Sequence, residues 1–191
     1  KPQNGIRPIA VEEQFTKLVN KIVCQLLTTQ TYLKIHQNQY CIRDTESQME
    51  AINNVKQNII EGYNKIIAVD FKNAYGMIHR EHIIKRLKDM DVNPILIKYI
   101  HHLLEKQQMI FTDDKGEPRR INPTRGIAQG DPTSSLLFCI GVNDLLESFN
   151  KPGLRTIAYA DDFIIMARKE SNLLEEWKTF KTRAKSTGLE I

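Results

Sequence analysis

From Val11 to about Gln30, apolar residues recur at helical spacing: Phe15, Leu18, Val19, Ile22, Val23 and Leu26 mark one stripe, with Glu12 and Glu13 in the first turn. A second helix is expected from about Glu46 to Glu61, stopped by Gly62. The run Lys65-Ile66-Ile67-Ala68-Val69-Asp70-Phe71 reads as a short buried strand ending in a charge. Helices are expected at about Arg80 to Met90 and from Asn93 to Gln107, the latter with Asn93 as its cap and Pro94 at its first position. Met109–Thr112 and Arg119–Asn122 flank a turn-rich segment and predict a hairpin. A helix from about Thr133 to Phe149 follows the loop from Gly126 to Pro132. Arg155–Tyr159 and Phe163–Ala167 then bracket Ala160-Asp161-Asp162, a second hairpin with two carboxylates at its tip. An amphipathic helix from about Ser171 to Ser186 closes the pattern. Helices mixed with antiparallel hairpins indicate the α+β class.

Composition narrows this picture only a little. The 191 residues are 41% hydrophobic and 26% charged, ordinary for a globular protein able to bury a sizeable core. Neither an internal repeat nor a low-complexity tract divides the chain. No apolar run reaches membrane-spanning length, and Lys1-Pro2-Gln3-Asn4-Gly5 lacks the apolar core of a signal peptide, so no membrane partner is expected. Cys24, Cys41 and Cys139 lie far apart without a CxxC pair, which fits reduced thiols and an intracellular setting. The formal charge of +4 suits a polyanionic partner but is shared by many proteins without one. The lysine start and the Gly188-Leu189-Glu190-Ile191 end suggest a piece of something larger.

The acidic residues say more. An isolated Asp-Asp pair is usually a solvated turn, yet Asp161-Asp162 stands between two apolar, strand-like runs. Asp70 also ends an apolar run. Carboxylates on strand ends can converge on one hard divalent cation or on a pair. Paired ions suit phosphoryl transfer, one activating the attacking oxygen and the other stabilising the leaving one. His79, His82, His101 and His102 complete no ligand spacing and read as ordinary surface or core histidines.

At these residues a family resemblance appears. Tyr159-Ala160-Asp161-Asp162 resembles the YADD box of reverse transcriptases, and Ala68-Val69-Asp70-Phe71-Lys72-Asn73-Ala74-Tyr75 resembles their first palm motif. The stretch from Gly126 to Phe138 is similar to their GxxQGDPLSPLLF motif. Lys1 to Ile9 resembles a fingers segment, and Gln39-Tyr40-Cys41-Ile42-Arg43 resembles the QxGFR stretch. The QGDP form and the RPIAV opening resemble non-LTR retrotransposon enzymes most. The resemblance implies a right-hand polymerase palm, an antiparallel sheet with packed helices, plus part of the fingers and without the thumb. Residues 1–64 would be partial fingers and residues 65–191 the palm.

The chemistry implied is RNA-templated DNA synthesis, with a primer 3′ hydroxyl attacking a dNTP. Asp70, Asp161 and Asp162 would be catalytic and, with the Phe71 carbonyl, would hold two Mg2+ ions, Mn2+ being a substitute. Lys1, Arg7, Tyr75, Gln129 and Gly130 would contact the nucleotide, Tyr75 as the gate against a 2′ hydroxyl. Arg43, Pro132 and Tyr159 would contact nucleic acid. The implied partners are an RNA template and a DNA primer, and a eukaryotic retrotransposon would need nuclear access. Gly76, Thr133, Ser135, Cys41, Ile42 and Glu46 depart from the family pattern, but none replaces a metal ligand. Two alternatives stay open: an RNA-dependent RNA polymerase, and a catalytically silent domain that binds nucleic acid or protein.

Overall fold

The computed structural model describes residues 10–42 and 47–191. Helices α1 (Gln14–Thr31) and α2 (Ser47–Ile60) precede strand β1 (Lys65–Val69). A single turn, α3 (Ala74–Met77), leads to α4 (Arg80–Asp89) and α5 (Pro94–Glu105). Strands β2 (Met109–Thr112) and β3 (Pro118–Ile121) form an exposed hairpin. Helices α6 (Ser134–Gly141) and α7 (Asn143–Phe149) follow, then β4 (Leu154–Tyr159), β5 (Asp162–Ala167) and α8 (Leu173–Ser186). The fold is the expected α+β, with antiparallel sheets and packed helices.

The central sheet has the order β1-β5-β4, antiparallel throughout. Because side chains alternate along a strand, its register sorts residues onto two faces. One face carries Val69, Phe163 and Ala158 on one rung and Ile67, Ile165 and Thr156 on the next. It packs into the main core with Phe71, Phe149 and Phe180. There Phe71 meets Phe163 edge-on at 5.4 Å and Phe149 meets Phe180 at 5.1 Å, the offset geometry aromatic rings prefer. On the opposite face α2 covers Ile157 and Met166 with Ala51 and Val55. Beyond β4, residues 38–40 run parallel to it: Tyr40 N–H donates to the Ala158 carbonyl at 2.9 Å, and Ala158 N–H to that of Asn38 at 2.8 Å.

Several elements depart from the apolar pattern, each for a physical reason. Phe15, Leu18, Ile22 and Leu26 of α1 are exposed, and the core side is Asn20, Val23, Leu27 and Thr31. Asn20 is drawn inward because its amide and carbonyl are all hydrogen-bonded there, which offsets the cost of burying them. Glu12 and Glu13 precede the helix instead of occupying its first turn. Strand β1 is an edge strand, not a buried one: Ile66 is 45% exposed, since α2 lies over β4 and β5. The single helix expected from Thr133 to Phe149 is two, broken at Val142 with ψ 2°. The Gly141 carbonyl at the break meets His82 Nε2 at 3.0 Å, and a side chain on Gly141 would meet Ile78 Cδ1 at 2.6 Å.

Backbones approach closely where α3 meets the loop before α6. Gly126 has φ 76°, and a Cβ there would lie 2.4 Å from the Gly76 carbonyl oxygen. Gly62, which ends α2, has φ 92° but open space around it. Alanine at Gly62 should therefore cost only the left-handed strain of about 1–2 kcal/mol, and alanine at Gly126 clearly more. Urea unfolding of both variants checks this, and equal losses would mean that the approach of Gly126 to Gly76 relaxes freely.

Candidate functional site

The β1–β5 pairing ends at Val69–Phe163; Asp70 directly follows Val69, Asp162 directly precedes Phe163, and Asp162 pairs with Tyr159 of β4. Asp162 and Tyr159 thus form the last β4–β5 rung, on the face away from Phe163, and Asp70 follows the end of the neighbouring strand. Both carboxylates are exposed. Asp161 lies in the two-residue turn Ala160–Asp161 that joins β4 to β5, so Asp162 is the first residue of a strand rather than part of the tip. Ala160 adopts φ 52°, a left-handed conformation unusual for alanine. Tight hairpins require such an angle at their first central residue, because only then does the turn follow the twist of the strands.

The rigidity of this end comes from its neighbours. Phe71 buries its ring against Phe163 and Phe180 immediately after Asp70. Lys72 N–H donates to the Glu190 carbonyl at 2.8 Å, fastening the segment that follows. Tyr75 is half-buried and stacks on Phe138 at 4.7 Å, and its carbonyl accepts from Ile127 N–H at 2.8 Å. Burial pushes its phenol above the ordinary range, and the nearby thiols and Asp161 add to that. Tyr75 is therefore a core aromatic whose phenol feels the charge of Asp161. Beside it, the Cys41 and Cys139 thiols hydrogen-bond one another, which holds Cys41 below the ordinary thiol range and pushes buried Cys139 above it.

The other expected residues lie elsewhere. Gln129 is half-buried, with its carbonyl accepting from Ala10 N–H at 2.7 Å, and exposed Gly130 has φ 110°. Pro132 is half-buried in the turn entering α6, where Asp131 Oδ1 accepts from Thr133 N–H at 2.6 Å. Tyr159 borders a cavity of about 270 Å3 beside Ile52 and Val55 of α2. Lys1, Arg7, Arg43 and Glu46 lie outside the described residues.

Carboxylate and carbonyl oxygens suit a hard divalent cation, so the donor chemistry at this end fits one. Among the described residues no three His, Cys, Asp or Glu side chains form a group that could hold a metal ion. The sheet brings the carboxylates to one end without gathering them, and their mutual repulsion opposes closer approach. Also among the described residues, no helix is long and apolar enough to cross a membrane.

Two structural residues escaped the sequence pattern. Arg80 binds the loop before α6 through Nε to the Gly126 carbonyl at 2.7 Å and through a terminal nitrogen to that of Pro123 at 2.6 Å. Asn20 joins Asp131 at 2.9 Å to Glu12 at 3.2 Å, and Tyr99 donates to Asn20 at 2.7 Å. Neither carries a local signal, since their partners are distant in sequence. Burial, then the hydrogen bond and charge of Asp131, raise the Glu12 carboxyl to about 7.

The family described as "Reverse transcriptase (RNA-dependent DNA polymerase)" matches residues 1–191. A putative COX1/OXI3 intron 1 protein of Saccharomyces cerevisiae is 27% identical over 97% of this chain and 22% of its own length. The retrovirus-related Pol polyprotein from type-1 retrotransposable element R2 of Nasonia vitripennis is 23% identical over 66% of this chain and 13% of its own. The chain thus spans less than a quarter of either relative. Among solved structures, apo telomerase from Candida tropicalis superposes with a TM-score of 0.67 at 12% identity, over 91% of this chain and 35% of that one. That likeness is one of fold.

The Glu12 shift has a definite sign. Its folded value lies above its ordinary 4.5, so the folded state holds the extra proton between the two values. Stability is then greatest below about 4.5 for this group and declines as pH rises through about 7. Thermal unfolding between pH 5 and 8 should show that decline, and Glu12→Gln should flatten it. An unchanged slope in the variant would locate the pH dependence elsewhere.

Proposed function

This chain belongs to the reverse transcriptase family, and we propose that it supplies the catalytic core for RNA-templated DNA synthesis by nucleotidyl transfer in a non-LTR retrotransposon type of enzyme. The observation that carries the reading is that Asp70 and Asp162 flank the last β1–β5 pair, Val69–Phe163, with Asp161 in the adjoining turn. In this reading residues 65–191 are the palm and residues 1–64 part of the fingers. The substrates are dNTPs, a DNA primer and an RNA template.

Asp70, Asp161 and Asp162, with the Phe71 carbonyl, would hold two Mg2+ ions. Such a pair, when bound, neutralises charge on the reacting phosphate and lowers the pKa of the attacking hydroxyl. The protein's part is to aim the oxygens. Asp162 starts β5 and Asp70 follows the end of β1, and the packed Phe71 and Phe163 rings keep those strand ends from swinging. Tyr75, braced against Phe138, would wall off the sugar's 2′ position. Gln129 and Gly130 would lie beside the nascent base pair, where glycine admits close backbone approach. Lys1 and Arg7 would neutralise the triphosphate, and Arg43, Pro132 and Tyr159 would line the nucleic-acid path.

Primer extension on an RNA template by the native-length protein, with Mg2+, tests this reading. Asp161→Ala should lower the rate about a thousandfold, the worth of several kcal/mol of charge stabilisation. No synthesis by a well-folded wild type that still binds RNA would favour a silent binding domain. Tyr75→Ala should relax the preference for dNTPs over rNTPs by about tenfold or more. Unchanged discrimination would remove Tyr75 from the gate, and a wild type preferring rNTPs would favour an RNA polymerase.

A further inference from the structure

Gln39 lies fully buried beneath the β4–β5 turn, 121 residues before the alanine it binds. Its Oε1 accepts from Ala160 N–H at 2.9 Å and from Cys41 N–H at 3.3 Å. Its Nε2 points back to the Ala160 carbonyl at 3.5 Å, the outer limit of a hydrogen bond. One side-chain amide therefore faces both polar groups of a single backbone residue. That residue is Ala160, whose left-handed φ of 52° is unfavourable for a residue with a side chain.

The Ala160 carbonyl belongs to the same planar peptide as the nitrogen of Asp161. Holding that carbonyl and the preceding N–H fixes the plane from which Asp161 departs. We propose that Gln39 is a positioning residue for nucleotidyl transfer, clamping the strained Ala160 peptide so that the Asp161 carboxylate is presented toward its metal. The inference rests on the reading of Asp161 as a metal ligand.

The chemistry selects glutamine. A carboxylate in its place would accept from the N–H but repel the carbonyl oxygen, and would bury a charge near Asp161. Asparagine is one methylene shorter. The backbone of the same segment is locked by its parallel pairing to β4, so the amide is delivered from a fixed base. Asn38 adds to that base, its Nδ2 donating to the Thr156 carbonyl and to Asn150 Oδ1, both at 2.9 Å.

The test uses Gln39→Met, which keeps length and volume but removes both polar groups, in the native-length protein. Amide hydrogen exchange at Ala160 should accelerate while Ile165, deeper in β5, stays protected. Mn2+ binding, read by its paramagnetic signal, should weaken about tenfold to a hundredfold, as when a group orienting a metal ligand is lost. The kcat of primer extension should fall about tenfold or more with the KM for dNTP nearly unchanged. Wild-type Mn2+ affinity and kcat in Gln39→Met would overturn the proposal, as would exchange that accelerates equally at Ala160 and Ile165. Asp161→Asn, run alongside, separates the two claims. If it loses Mn2+ binding while Gln39→Met keeps it, only the clamp falls. If it changes nothing, the reading of Asp161 falls and the positioning role with it.

Discussion

The register between β1 and β5 is the constraint from which the rest of the site follows. Side chains alternate along a strand, so a slip of one residue would turn Asp70 into the core and Val69 out of it. The buried face forbids that slip, because Val69, Phe163 and Ile165 all find their partners there. Asp70 and Asp162 therefore flank the last pair of that register, Val69–Phe163, as a by-product of packing on the buried face. Apolar burial does the aligning, and repulsion between the carboxylates has to be withstood by it.

Much of this was legible in the sequence. The two apolar runs around Ala160–Asp161 and the one before Asp70 gave the hairpin and the strand, and the motif resemblance tied them into one family. What stayed hidden shares a cause. Asn20 reads as a polar interruption of a helix, yet it faces inward because Asp131 and Tyr99 await it. The break at Val142 is invisible in an apolar stretch, since His82 and Ile78, some sixty residues earlier, make it possible. Gln39 stood within a recognised stretch, but nothing local shows that its amide reaches Ala160. Periodicity reports which residues are apolar, and long-range hydrogen bonds decide which face a polar residue takes.

Strain and satisfaction are paired along this end of the molecule. Ala160 bends left-handed where its neighbours can hold it, and Gly126 bends where its lack of a side chain lets α3 pass. The Glu12 carboxyl sits against Asp131 at a cost that grows with pH, and Asn20 and Lys17 moderate it. These local costs are borne by an aromatic core of Phe71, Phe149, Phe163 and Phe180. A site of repelling charges needs such backing, since marginally stable proteins have only a few kcal/mol to spare.

The parallel pairing of residues 38–40 with β4 also bears on how the chain folds. The β4–β5 hairpin joins neighbours in sequence and can form within microseconds. Its turn contacts Gln39 only after a loop of 121 residues has closed, a step slowed by chain entropy. The carboxylate-bearing turn can therefore form from local contacts, whereas its final geometry also requires the segment around Gln39 to dock. Local sequence can make that turn, but the segment that aims it comes from 121 residues earlier in the chain.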